Sequence, residues 1–238
     1  RFIRRHDSVS KQPLFIHFKT KTPHYPYNYP NDETLTFDET SSPSKNYKIG
    51  MEYVDVQLGK LYDFLHERER DRKTVIIVVG DHANYLDKSL ATALPVDDVL
   101  WTGAIVSGSE ALVGKPRIKN VHCSQIDIMP TILYLSGDTS PRVTLGRNLL
   151  DDDFDETEAF SIAVRPSGVR IDKGGFTYIV DRRHPSQFIK LPAFEGLMHL
   201  IDGARVDMSP QDVLKIADSW SYLIEENRVW SPDAVNEN

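Results

Sequence analysis

Residues 75–85 read "VIIVVGDHANY": five β-branched residues run into Gly80, and then a carboxylic acid and an imidazole stand side by side as Asp81 and His82. A carboxylate oxygen and an imidazole nitrogen are the donors that Zn²⁺, Mn²⁺ or a similar divalent ion accepts. Neighbouring side chains on a tight turn after glycine can converge on one ion. The plainer reading is that Asp81 caps a following helix and His82 is a satisfied polar residue; the tripeptide alone leaves both open. Upstream, "FKTKTPHYPY" puts His24 just beyond another apolar run. Its plainer reading is a loop histidine packed among tyrosines.

Both candidate groups depend on the strands that deliver them. "PLFIHFKT" (13–20) reads as a buried strand, and "TVIIVVG" (74–80) as a second, whose unbroken apolar run predicts burial on both faces in a parallel sheet. Between them, "PHYPYNYPND" and "DETSSPS" are loop, because proline removes donors and fixes φ. From about Asn46 a helix follows, with Ile49, Tyr53, Val56, Leu58, Leu61 and Leu65 spaced for one face. Strand, helix, strand is a βαβ unit. In such sheets ligands bind outside the carboxyl ends of the strands, so His24 and the Asp81-His82 pair are expected at one sheet edge.

A third strand falls within 97–108. "CSQIDIMPTILYLSG" (123–137) reads as a helix with Pro130 in its first turns and Gly137 as its C-terminal cap. "GRNLLDDDFDETE" turns acidic and marks a boundary near residue 150. "AFSIAVRPSGVRIDKGGFTYIVD" (159–181) alternates and carries glycine turns, as antiparallel strands do. "SPQDVLKIADSWSYLIEENRVW" opens as a capped amphipathic helix, and the tail "SPDAVNEN" is expected to be disordered. The expected fold is α/β: a mostly parallel sheet flanked by helices over residues 1–150, then a smaller antiparallel subdomain with a closing helix over 151–238.

The 238 residues, 40% hydrophobic and 26% charged, suffice for one α/β domain with an appendage. A net charge of −7 argues against a nucleic-acid partner. No apolar run reaches the 18 residues a membrane span needs. The basic start "RFIRRH" reads as a solvated end or as a flank near a membrane surface. Cys123 stands alone, so no intrachain disulfide forms, and its apolar neighbours suggest a small buried residue.

Taken in order, "PLFIHFKTKTPHYPY", "NYKIGMEYVDVQLGKLYDFL", "KTVIIVVGDHANY", "SQIDIMPTILYLSG" and "LGRNLL" resemble the sulfatase and alkaline phosphatase superfamily, and within it the lipoteichoic acid synthase and phosphoglycerol transferase branch. The resemblance covers roughly residues 13–150; residues 159–230 resemble the family's C-terminal strands and closing helix only loosely. It implies that Asp81 and His82 are metal ligands, for one divalent ion (Mn, Zn, Mg or Ca). It implies that His24 contacts the substrate's phosphate or head group, and that Asp127 and Pro130-Thr131 pack the helix.

The resemblance further implies a Thr, Ser or formylglycine nucleophile attacking phosphorus or sulfur through a covalent intermediate. That nucleophile and another acidic ligand are expected upstream of Arg1, in the N-terminal half of the same catalytic domain, which would be this chain's partner. Cys123 lacks the Cys/Ser-x-Pro-x-Arg context that formylglycine formation needs. The segment after the motif has no histidine where several relatives carry one. His122 is a candidate for that space, and equally a surface residue at a helix start. Lys88 is a candidate for an anionic substrate, and equally a solvated loop lysine.

Three functions follow as expectations. The first is a metal-dependent phosphotransferase or phosphodiesterase for phosphoglycerol-like head groups, outside the cytoplasm and anchored to the membrane by its parent protein. The second is a sulfatase acting on carbohydrate sulfate esters. The third is a non-catalytic domain that keeps the scaffold.

Overall fold

A computed structural model of the chain describes residues 2–27, 42–68, 73–82, 102–118, 123–140, 144–151, 160–165, 168–173, 176–186, 188–192 and 208–226. The chain divides into two compact units: residues 1–74 with 79–104, and residues 75–78 with 105–238.

In the first unit, helix α1 (Phe2–Val9) carries no buried residue. Helix α2 (Pro43–Arg68) starts three residues before the predicted Asn46. Pro43 suits a first helical turn, where its missing N–H is not needed, and the Ser42 carbonyl accepts the Asn46 N–H at 3.1 Å. Asn46, Gly50, Tyr53, Leu61 and Leu65 lie on its buried or half-buried stripe; Val56 falls at the edge of that stripe and is exposed. The Arg4 guanidinium of α1 lies 5.1 Å from the ring centroid of Phe64 on α2, a cation–π contact.

The predicted strand at 13–20 does not form. Phe15 and Phe18 are 72% and 64% exposed, and the segment joins no sheet. An apolar run becomes a strand only where another strand takes its N–H and C=O groups, and none of the described strands does.

Strand β1 (Ile76–Val79) pairs with β2 (Ala104–Ser107) in a two-stranded sheet. Contrary to the predicted burial on both faces, Val78 and Val79 are exposed. Burial of both faces needs a packed layer on each, and four apolar residues in a row do not supply one. A single helical turn, α3 (Glu110–Val113), follows β2.

The predicted helix at 123–137 begins as a 3-10 turn (Gln125–Asp127) and continues as α4 (Ile128–Ser136). It ends at Gly137, whose φ of 77° is the left-handed cap expected there. Asp127 turns both carboxylate oxygens inward: Oδ2 accepts the Ser124 N–H and Oδ1 the Arg147 N–H, each at 2.7 Å. The Thr131 hydroxyl donates to the Asp127 carbonyl at 2.7 Å and accepts the Leu149 N–H at 2.9 Å. These bonds fasten "LGRNLL" to the start of α4, so Asp127 and Thr131 are structural. The approach is so close that a Cβ on Gly146 would stand 2.0 Å from the Ile126 carbonyl oxygen. Burial pushes the Asp127 carboxyl up from its ordinary value, while the Ser124 and Arg147 N–H groups and the Arg147 charge pull it down. Cys123, expected to be buried, is exposed: it precedes the 3-10 turn rather than lying inside the helix.

The antiparallel sheet runs in the order β3 (Phe160–Arg165), β4 (Gly168–Lys173), β5 (Phe176–Asp181), β6 (Ile189–Pro192). The first three are the strands predicted over 159–181; β6 is additional. Val169 faces Val180 and Ile171 faces Tyr178. These four, with Met208, Val213 and Ala217, form the buried core, because α5 (Pro210–Glu225) packs on β4 and β5. Arg182 ties β5 to α5 through Asp218 at 2.7 Å. Neighbouring the core, Asp172 is buried yet satisfied: it accepts from Thr177 Oγ1, from Ser161 Oγ at 2.8 Å and from Arg170 Nη2 at 2.9 Å. A buried carboxylate so bonded locks strand register.

Removing the Asp127 carboxylate strands two backbone N–H groups, at about 1–3 kcal/mol for each buried donor left unpaired. Asp127→Ala is therefore expected to lower the urea midpoint sharply, whereas Ser136→Ala, whose hydroxyl is exposed, leaves it unchanged.

The cap of α5 sets an acid dependence. Hydrogen bonds from the Ser209 side chain and backbone N–H hold the Asp212 carboxyl below its ordinary value. A lowered carboxyl contributes stability above the unfolded value of about 3.9 and loses it as pH falls through the folded value. Asp212→Ala is expected to be less stable at pH 7. Its deficit shrinks as urea melts are repeated from about pH 4 downward.

Candidate functional site

His24 sits on a turn built by the chain around it. Its N–H donates to the Lys21 carbonyl at 3.0 Å, and the Tyr27 N–H donates to the His24 carbonyl at 2.7 Å. Tyr27 holds a left-handed φ of 64°, rare for a non-glycine residue. Its ring is buried, edge-on to Tyr25 and to Tyr47 of α2, at 5.8 and 6.4 Å between centroids. The turn rests on α2 where Gly50 has no side chain: a Cβ there would lie 3.3 Å from the Thr22 carbonyl oxygen. So Tyr27 of "PHYPY" anchors the turn, while Tyr25 and the His24 ring stay exposed. Its Nδ1 lies 2.7 Å from the Tyr25 carbonyl oxygen. A carbonyl only accepts, so Nδ1 carries the hydrogen; Nε2 is then the atom left for a ligand, an acceptor when the ring is neutral and a donor when it is protonated.

Asp81 and His82 follow β1 directly and are both exposed. The turn is set by Gly80. Its N–H donates to the Gly103 carbonyl at 3.4 Å, and a Cβ on it would stand 2.1 Å from Thr102 Oγ1 and 3.3 Å from Thr102 Cβ. A side chain at residue 80 would have to push the Thr102 side chain aside. The two Asp81 oxygens differ: Oδ1 accepts the His82 N–H at 3.1 Å, and Oδ2 faces the Lys19 ammonium at 3.6 Å.

One carboxylate and one imidazole, adjacent and facing solvent, fit a divalent ion as part of a donor set. Such ions take four to eight donors in all. Among the described residues no group of three or more His, Cys, Asp and Glu side chains gathers where it could hold a metal. His24 therefore does not join the pair as a third ligand. His122 and Lys88 lie outside the described residues. Lys19, not among the residues singled out from the sequence, is a charged side chain that stands against Asp81; its signal was the basic "FKTK" leading into His24.

A family model described as Sulfatase matches residues 1–137. Lipoteichoic acid synthase of Staphylococcus saprophyticus is 30% identical over 165 residues, which make up 63% of this chain and 25% of that protein. Lipoteichoic acid synthase 1 of Bacillus subtilis is 26% identical over 160 residues, with the same shares. The chain thus spans about a quarter of the length of these curated relatives. A crystal structure of a protein in the alkaline phosphatase superfamily from Vibrio parahaemolyticus superposes with a TM-score of 0.63 at 18% identity. That match covers 90% of this chain and 49% of the other, and it shows the α/β fold.

The seat of the Asp81-His82 turn is open to a direct test. Gly80→Ala is expected to lower the melting temperature and to speed amide exchange at residues 80–82. Adding Thr102→Ala, which removes the clashing oxygen, restores most of both.

Proposed function

The chain belongs to the sulfatase family, and on that footing we propose that it carries part of the catalytic centre of a metal-dependent phosphotransferase or phosphodiesterase acting on phosphoglycerol-like head groups. The observation that carries this is the placement of Asp81 and His82, exposed side by side at the end of β1, within the residues the family model matches. The substrate class follows the relatives named Lipoteichoic acid synthase.

Asp81 and His82 would hold the divalent ion. When bound, such an ion would polarise the nucleophile and offset charge on the transferring group. Gly80 orients the pair by its close seat on Thr102. His24, with Nδ1–H committed to Tyr25, turns Nε2 to the ester and, once protonated, donates to a phosphoryl oxygen as charge develops there. A nucleophile that forms a covalent intermediate with the transferred group is also required; none of the residues named here is assigned that role. His122 and Lys88 stay candidates for the substrate's anionic side. The site works outside the cytoplasm, in a protein anchored to the membrane elsewhere; among the described residues no helix is long and apolar enough to cross one.

The family description favours a second reading, hydrolysis of carbohydrate sulfate esters. One assay separates the two: the intact protein with bis(p-nitrophenyl) phosphate or p-nitrophenyl sulfate, with and without chelator. The expected result is chelator-sensitive phosphodiester turnover that falls on the order of 100-fold or more in Asp81→Asn and in His82→Ala. Turnover of the sulfate ester alone assigns a sulfatase. Undiminished activity in either variant removes the metal pair from the mechanism, and turnover of neither ester assigns a non-catalytic scaffold.

A further inference from the structure

Lys19 has no part in the site as built so far, yet its ammonium lies 3.6 Å from Asp81 Oδ2. The two oxygens of Asp81 are not equivalent. Oδ1 takes the His82 backbone N–H, so Oδ2 is the oxygen better placed to bond a metal ion, and Lys19 stands against it. A dication on Oδ2 and an ammonium a few ångströms away repel each other, and both side chains are exposed, at 76% and 64%. The lysine stem is long and flexible enough to swing clear. It cannot swing far: Lys19 is fixed in the chain five residues before His24, so its charge stays within a side chain's length of Asp81. An ester bound at a metal on Asp81 puts its anionic oxygens in that same space, and an ammonium is a point-charge partner for such oxygens.

We propose that Lys19 exchanges partners at this site: it competes with the divalent ion for Asp81 Oδ2, and on being displaced it binds an anionic oxygen of the phosphate or sulfate group. This rests on Asp81 being a metal ligand, as proposed above. It makes metal and anion binding cooperative, because the metal releases the cation that the anion needs.

The test is calorimetric titration of the intact protein with Mn²⁺ alone, and with inorganic phosphate at saturating Mn²⁺. Exposed ion pairs are worth little, so the effects are modest. Lys19→Met is expected to bind Mn²⁺ about two- to five-fold more tightly, and phosphate about two- to five-fold more weakly, than the parent. Lys19→Arg, which keeps the charge, returns both towards the parent values. Mn²⁺ affinity that is unchanged or weaker in Lys19→Met, or phosphate affinity that does not fall, overturns the exchange. Asp81→Asn separates this from the underlying assignment: loss of Mn²⁺ binding there upholds Asp81 as the ligand whatever Lys19 does, and retained binding overturns that assignment and the exchange with it.

Discussion

The candidate site depends on how closely residue 80 packs against the Thr102 side chain. β1 ends against Thr102 so closely that a Cβ would lie 2.1 Å from its hydroxyl oxygen. Glycine makes this approach without displacing Thr102, and the chain then delivers two potential metal donors in consecutive positions to solvent. Five β-branched residues before the turn supply the stiffness; Gly80 supplies the placement. The turn at His24 is built on the same principle. It lies on α2 over Gly50, and the aromatic packing of Tyr27 between Tyr25 and Tyr47 holds the backbone so that the imidazole need not hold itself.

The C-terminal unit spends its polar groups differently. Asp127 is buried and its carboxyl is pushed up by burial. Such a perturbed acid would elsewhere suggest chemistry. Here both oxygens are taken by backbone N–H groups and Thr131 is engaged on both sides, so the cluster fastens one segment to another. Asp172 does the same across three strands. Asp81 is the contrast: an exposed carboxylate with one oxygen turned toward an exposed lysine ammonium. Burial among fixed hydrogen-bond donors, backbone for Asp127 and side chains for Asp172, marks the structural acids, and exposure beside an exchangeable cation marks the candidate ligand.

Much of this was legible in the sequence. The long helix, though read from Asn46 instead of Pro43, the C-terminal cap at Gly137, the alternation over 160–181 and the Ser209 start of α5 are local signals, set by periodicity and by residues that satisfy helix ends. The Gly-Asp-His order gave the candidate ligands, and the order of five motifs gave the family. What was not legible depended on distant partners. "PLFIHFKT" has strand composition but no described strand to pair with; β1 has a buried-strand pattern without burial on both faces; Cys123 has apolar neighbours yet lies outside the helix they form. Lys19 was missed because a lysine gains meaning only from what stands within reach of its ammonium, and Asp81 lies 62 residues away in sequence.

The central claim is that Asp81 and His82 hold a divalent ion. Anomalous diffraction at the manganese edge, from crystals of the intact protein grown with Mn²⁺, tests it most directly. The account predicts a peak at bonding distance, about 2.0–2.2 Å, from Asp81 Oδ2 and a His82 ring nitrogen, with the Lys19 ammonium moved off that oxygen. A well-occupied manganese peak elsewhere, with Lys19 still against Asp81, would contradict it.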